Sequence, residues 1–231
     1  MADRPYTLLS CSMSIDGYLD TAAAPRLQLS NDADFDRVDA VRASCDAILV
    51  GAETIRKDNP RLLVRSEDRR AQRVEAGLGP SPIKVTVTRC GKLDATGNFF
   101  TCGGTDKIVY CAASGVDEAR RRLDAAATIV DAGPHVDMGW LAGDLSDRGV
   151  RRLMVEGGRT IHTQFLTGGL ADELQLVVAP FFVGDSHACR FVGDGEFPWH
   201  PGNRAALAEV RQIGDVVLLR YALSDRFDAG P

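Results

Sequence analysis

At 231 residues, with 45% hydrophobic and 26% charged side chains, the chain has the composition of a soluble globule large enough for a full core. A formal net charge of −5 argues against a partner held by neutralising nucleic-acid phosphates. The most apolar run, Leu174 to Gly184, is interrupted by Pro180 and is too short to cross a bilayer.

The opening residues pass from charged side chains straight into a strand pattern, without a signal-peptide layout, so a cytoplasmic protein is expected. Residues 6–14, "YTLLSCSMS", predict a strand, and Asp16-Gly17 in "SIDG" ends it with a turn signal. Residues 32–45 predict a helix with Asp32 as N-cap and an inner stripe of Val38, Val41 and Cys45. Arg42 then borders the buried face, either snorkelling or facing a ligand.

Residues 46–51 predict a buried strand. Pro60 limits the helix after it, on which Thr54 and Asp58 share a face. Arg61 and Arg65 follow the Asn59-Pro60 turn, and guanidinium groups there suit a phosphate or carboxylate; a solvated connection is the plain alternative. The polar stretch 66–82 reads as a surface loop with room for a short helix.

Strands are predicted over 83–88, 107–112 and 128–133, and helices over 116–126 and 138–149. "RRLMVEGG" predicts a strand running into a turn, and "RTIHTQFLTGG" a helix stopped by Gly168 and Gly169. The last segments predict strands, the final two joined as a hairpin around Ile213-Gly214-Asp215. Alternating β and α units imply a mostly parallel sheet flanked by helices, with antiparallel strands added by the hairpin. One domain is expected over 1–231, ending in a tail at 225–231.

Ligands of such sheets gather at the carboxyl ends of strands. At one of them, "VEGGRT" (155–160) brings Glu156 to a strand tip, lets the backbone approach a ligand at Gly157 and Gly158, and opens a helix. Helix N-terminal amides suit a pyrophosphate; a tight turn with Glu156 as a local cap explains the pattern equally well. Phosphate-loop, dinucleotide-fingerprint, zinc-protease, nucleophile-elbow and zinc-deaminase patterns are all missing. His162 lies in an amphipathic pattern and reads as structural. The six cysteines show no CxxC pair and suggest reduced core thiols rather than a metal site or a disulfide framework. Carboxylates, hydroxyls, arginines and amides remain, a set that fits chemistry carried by a cofactor.

Three blocks in this order, "SMSIDGYL", "CDAILVGAETIRKDNPRLLVR" and "LMVEGGRTIHTQFLTGGLADELQLVVAPFFVG", resemble the pyrimidine reductase domain of riboflavin biosynthesis. That domain is the C-terminal half of bifunctional deaminase-reductases and also occurs alone; the resemblance spans almost the whole chain. It implies a dihydrofolate-reductase-like mixed sheet, commonly in a dimer. It also implies NADPH-dependent reduction of the ribosyl C1′ of a 5-phosphoribosylamino-pyrimidine to a ribityl chain. The substrate would be 5-amino-6-(5-phosphoribosylamino)uracil or its 2,5-diamino-pyrimidinone counterpart.

Carried over by position, the resemblance puts Thr54, Asp58, Gly157, Gly158, Arg159, Thr160, Ile161, His162 and Thr163 on NADPH, with Thr88 a further cofactor candidate. Arg89 and Arg159 are the candidate 2′-phosphate partners. Glu156, Arg42, Leu62 and Arg65 fall on the substrate, and Glu156 and Asp58 are the acids for a proton or for the ribose hydroxyls. The Asp16-Gly17 turn would lie beside the nicotinamide. The chain departs from the bifunctional enzymes at Ser10, where they carry a lysine, and at Leu27, where they carry a tryptophan. Two rivals remain: a related reductase of another pterin or pyrimidine, for which two arginines are superfluous, and a nucleotide-binding module without turnover.

Overall fold

A computed structural model of the chain describes residues 4–21, 27–123 and 125–228. Its strands are β1 (Tyr6–Ser14), β2 (Ala47–Gly51), β3 (Ile83–Thr88), β4 (Lys107–Cys111), β5 (Thr128–Asp131), β6 (Arg152–Gly157), β7 (Glu173–Ala179), β8 (Ala206–Ile213) and β9 (Val216–Ala222). The helices are α1 (Asp32–Ala43), α2 (Ala52–Asp58), α3 (Glu67–Glu75), α4 (Asn98–Thr101), α5 (Val116–Leu123), α6 (Met138–Asp147) and α7 (Arg159–Thr167). The chain forms two compact units, residues 1–5 with 39–154 and residues 6–38 with 155–231.

In the first unit β2, β3, β4 and β5 pair in parallel in the order β5-β4-β3-β2. Parallel strands are covered on both faces, so they read as continuous apolar runs. Ala47, Ile48, Leu49 and Val50 of β2 are accordingly all buried. Lys84 on β3 is fully buried too, and its ammonium donates to the carbonyls of Phe99 (3.0 Å) and Cys102 (2.6 Å) at the two ends of α4. The predicted loop 66–82 contains the nine-residue α3, because the Ser66 hydroxyl accepts the Arg69 N–H and starts a helix there. Inside that stretch the buried Arg73 donates to the carbonyls of Ala43, Cys45 and Gly79, closing the end of α1.

In the second unit β1 runs parallel to β7, while β7, β9 and β8 are antiparallel neighbours in that order. The mixed, mostly parallel character and the C-terminal hairpin expected from the sequence are therefore present. The hairpin turns at Gly214, whose φ of 61° favours glycine. Leu29, Val177, Ala179, Val216 and Leu218 form a core cluster, against which Leu27 packs.

Helix α1 corrects two expectations. Its cap is Asn31, whose side-chain oxygen accepts the Asp34 N–H (2.9 Å), and Asp32 is already helical. Its most buried positions are Asp34 and Asp39, at 0% and 3% exposure, while Val38 and Val41 are only half-buried. Buried carboxylates persist only where they are paired. Asp34 accepts from Arg37 (2.7 Å), which in turn donates to Gln175 (2.6 Å) in the second unit. Asp39 holds a loop of the first unit.

Candidate functional site

The candidate residues fall into two groups, one in each unit. In the first, β2 delivers the chain into α2, and Thr54 and Asp58 lie half-buried on that helix. Asn59 stops it in the left-handed conformation (φ 44°), and its carbonyl and side-chain oxygens accept from Asn98 (3.0 and 2.6 Å). Leu62 is also left-handed (φ 49°) with its side chain 3% exposed, a conformation costing about 1–2 kcal/mol for a residue with a Cβ.

The loop is over-determined from outside. Asp39 accepts the N–H groups of Arg65 and Ser66 and a guanidinium N–H of Arg69 (3.0 Å). The Ser81 hydroxyl accepts the Val64 N–H (3.0 Å), and the half-buried Arg42 donates to the Leu63 carbonyl (3.4 Å). The result leaves the side chains of Arg61 and Arg65 exposed. Asp39 is the residue that sequence reasoning missed; its signal was an acid on the apolar side of a helix.

Burial works against the Asp39 carboxylate, yet the Arg65 and Ser66 N–H groups and the Arg69 guanidinium hold its pKa below the ordinary value. A depressed folded-state pKa adds stability above the unfolded value of about 3.9 and loses it as pH falls through the folded value. Asp39→Asn should therefore lower stability by about 2–4 kcal/mol at neutral pH. Urea midpoints of wild type and variant should converge as the pH is taken below about 3.9.

Thr88 sits at the tip of β3, 3% exposed, and its hydroxyl accepts the Gly91 N–H (3.2 Å). That hydroxyl closes the turn after the strand.

In the second unit, β6 rises from buried Val155 to half-buried Glu156 and then into Gly157 (φ 91°) and Gly158 (φ 77°, ψ 153°). The Gly158 conformation is essentially confined to glycine. Gly157 also meets a steric need within the chain itself. A Cβ there would come within 3.0 Å of three ring atoms of His162. The missing side chain makes room for an imidazole that is 0% exposed and 5.3 Å from the Phe191 ring. Burial brings the His162 pKa down to about 4, so the ring is neutral at physiological pH. The first bond of α7 runs from His162 N–H to the Gly158 carbonyl (3.1 Å), which leaves the preceding amides outside the helical ladder.

Arg159 and Thr160 are exposed at this helix start, whereas the side chains of Ile161 and His162 are core. The Thr163 hydroxyl donates to the Arg159 carbonyl (2.7 Å) and accepts the Gly193 N–H (2.8 Å). Gly195 lies against Thr167 so tightly that a Cβ would overlap its methyl group. The segment "FVGDG" thus lies along α7, an arrangement for which paired glycines were the only sequence signal.

Asp16 is a clasp. Its carboxylate accepts from the Ser14 hydroxyl and from the N–H groups of Val183 (3.0 Å) and Gly184 (2.8 Å), tying the tip of β1 to the segment after β7. Burial opposes ionisation, but the Ser14, Val183 and Gly184 donors outweigh it and the pKa falls to about 2. Asp16→Ala should accelerate hydrogen exchange at Val183 and Gly184 at neutral pH, while Asp39→Asn leaves both amides as in wild type.

Among the described residues, no helix is long and apolar enough to cross a membrane and no cluster of His, Cys, Asp or Glu could hold a metal ion. The RibD C-terminal domain family matches residues 5–219. The chain belongs to that family.

Among its relatives is the 2,5-diamino-6-ribosylamino-4(3H)-pyrimidinone 5′-phosphate reductase of Methanothermobacter thermautotrophicus, 32% identical over 222 residues, covering 95% of this chain and 99% of that protein. The Archaeoglobus fulgidus protein of the same name is 31% identical over 225 residues, covering 97% of this chain and 99% of the relative. Among solved structures, a pyrimidine reductase-like protein from Corynebacterium diphtheriae superposes with a TM-score of 0.79 at 23% identity, covering 94% of this chain and 91% of the other. RibD C-terminal domains have a dihydrofolate-reductase-like sheet, in keeping with the strand pairings above.

Proposed function

We propose that this RibD-family oxidoreductase reduces 2,5-diamino-6-ribosylamino-4(3H)-pyrimidinone 5′-phosphate in riboflavin biosynthesis, opening the ribosyl ring to a ribityl chain with NADPH. The archaeal relatives that carry this substrate in their names align over almost their full length, which supports that pyrimidinone over its deaminated uracil counterpart. The observation that carries the reading is local: the tip of β6 carries Glu156, and Gly157 and Gly158, both at positive φ, turn directly into a helix without a side-chain cap.

The residues present fit a dinucleotide. Uncapped amides at Arg159–Ile161, an exposed guanidinium at Arg159 and an exposed hydroxyl at Thr160 form a donor set for phosphate oxygens. Thr54, Asp58, Gly157, Gly158 and Thr163 are assigned to the same cofactor, His162 and Ile161 through backbone and packing, and Thr88 through the turn it closes. NADPH, when bound, supplies hydride to C1′. The protein's part is orientation, exclusion of water and a proton for the nitrogen side. Arg42, Leu62 and Arg65 are assigned to the substrate, with Arg65 on its phosphate, and Glu156 and Asp58 to its hydroxyls or to the proton.

The family match runs through both units, which supports one reductase domain. A cytoplasmic homodimer is part of this reading, supported by Leu207 and Val210 on β8, exposed by 54% and 59%. Light scattering should then give twice the chain mass. The deciding assay mixes purified protein with NADPH and each of the two phosphoribosylamino-pyrimidines and follows the reduced nicotinamide absorbance. Oxidation with the 2,5-diamino form is expected. Faster turnover of the uracil form would reassign the substrate, and silence with both would sink the reading.

A further inference from the structure

Helix α7 buries a polar ring where a hydrocarbon would pack better. The His162 side chain is 0% exposed and 5.3 Å from the Phe191 ring. Among the described residues, neither of its buried ring nitrogens has a hydrogen-bond partner; the Val155 carbonyl comes near the ring without reaching hydrogen-bond geometry. A neutral imidazole offers one N–H donor and one acceptor, and leaving such groups buried and unpaired costs about 1–3 kcal/mol each. A leucine of similar volume would fill the space without that cost. Filling space therefore explains the size of the side chain but not its nitrogens.

The ring is aimed at the strand tip. Cε1, Nε2 and Nδ1 are the three atoms that a Cβ on Gly157 would meet within 3.0 Å, so the edge bearing both nitrogens is turned to the Gly157 backbone. The backbone of His162 is itself fixed, because its N–H donates to the Gly158 carbonyl (3.1 Å). The ring and that bond together enclose the turn from β6 into α7. Two successive glycines, at φ 91° and 77°, would otherwise leave this turn wide conformational freedom. Glu156, the acid at the tip, is peptide-bonded to the residue on which the ring rests.

We propose that His162 is a positioning residue for Glu156. The imidazole stands in for the side chain that Gly157 lacks and blocks the swing of the Glu156–Gly157 peptide, so the carboxylate keeps one direction toward the substrate. Its ring N–H pairs with a strand-tip carbonyl as cofactor and substrate close on the site, since hydrogen bonds in active sites tighten in the loaded enzyme. The role of Glu156 rests on the reductase reading; the contact between His162 and Gly157 does not.

Steady-state kinetics with NADPH and the 2,5-diamino form, together with urea denaturation, test it. His162→Leu keeps the volume and removes the nitrogens. Its urea midpoint should equal or exceed that of wild type, while kcat falls about 10–100-fold and KM for NADPH stays within about twofold. His162→Asn and His162→Gln put an amide N–H where Nδ1 and Nε2 stand, and one of them should restore kcat to within about threefold of wild type. On a Glu156→Gln background, His162→Leu should lower kcat by less than about twofold, because the group it positions is gone. Full activity in His162→Leu, a loss that neither amide restores, or an equal further loss on the Glu156→Gln background would overturn the proposal. If His162→Leu does not fold, nuclear magnetic resonance of the wild type with isotopically labelled histidine and bound NADP+ decides. One neutral tautomer with a slowly exchanging ring N–H is expected, and rapidly interconverting tautomers overturn it. A locked ring in a protein that reduces neither pyrimidine removes the reductase reading and keeps the lock; an active protein with a freely exchanging ring does the reverse.

Discussion

Gly157→Ala is expected to destabilise the protein by about 2–5 kcal/mol, one of the largest effects of any single methyl group added to this chain. Two costs add at this position. A φ of 91° is unfavourable for any residue with a Cβ, by about 1–2 kcal/mol. The new methyl group would also overlap the buried ring of His162, and overpacking of that kind costs about 1–3 kcal/mol. The ring cannot step aside easily, because it is fully buried and rests against Phe191.

The overlap makes a second expectation. His162→Ala removes the obstructing ring, so the double variant Gly157→Ala/His162→Ala should lose less than the sum of the two single losses, by about 1–3 kcal/mol. Urea denaturation midpoints of the four proteins check this. Additive losses would mean that the backbone conformation alone accounts for the glycine.

Glu156→Gln is expected to lower kcat by about 10²–10⁴-fold, the range for a positioned acid or base, with stability kept within about 1 kcal/mol. The amide matches the carboxylate in shape, and the residue is half-buried at a strand tip rather than in the core, so the fold has little reason to respond. Asp58→Asn, at the half-buried last residue of α2, is the companion measurement. A large fall in one and a small one in the other names the proton donor. If both variants turn over at near wild-type rates, the two carboxylates only position the substrate. Unchanged urea midpoints in both keep a loss of activity from being a loss of fold.

Much of the architecture is legible along the chain. "YTLLSCSMS" and "IKVTVT" coincide with β1 and β3 residue for residue, because a run of β-branched and apolar residues between turn signals has one low-energy use in an alternating α/β pattern. The stop at Gly168 and the hairpin at Gly214 follow from the conformations that glycine alone tolerates well. Helix α3 was harder to see, since its strongly polar sequence carries little apolar periodicity and its start depends on one serine cap. The four-residue α4 has too few turns to leave any period.

The candidate residues divide along the same line. Short-range chemistry placed Glu156 at a strand tip and Arg159 at a helix start, because both follow from where β6 ends. Pairings between distant segments were invisible. The buried face of α1 holds Asp39 since the loop amides it accepts lie 26 and 27 positions further along the chain. Asp16 looked like a turn residue and is one, but its partners are 167 and 168 positions away.

Run length and turn residues by themselves determined the order of the strands and most helices, composition the residue types available for chemistry, and the resemblance of three blocks pointed to the family. They could do so because each rests on interactions within a few residues. Only the tertiary structure decided what those residues face: that the gap at Gly157 is filled by His162, and that two acids anchor α1. Such contacts are set by which surfaces exclude water together, and no local pattern encodes that.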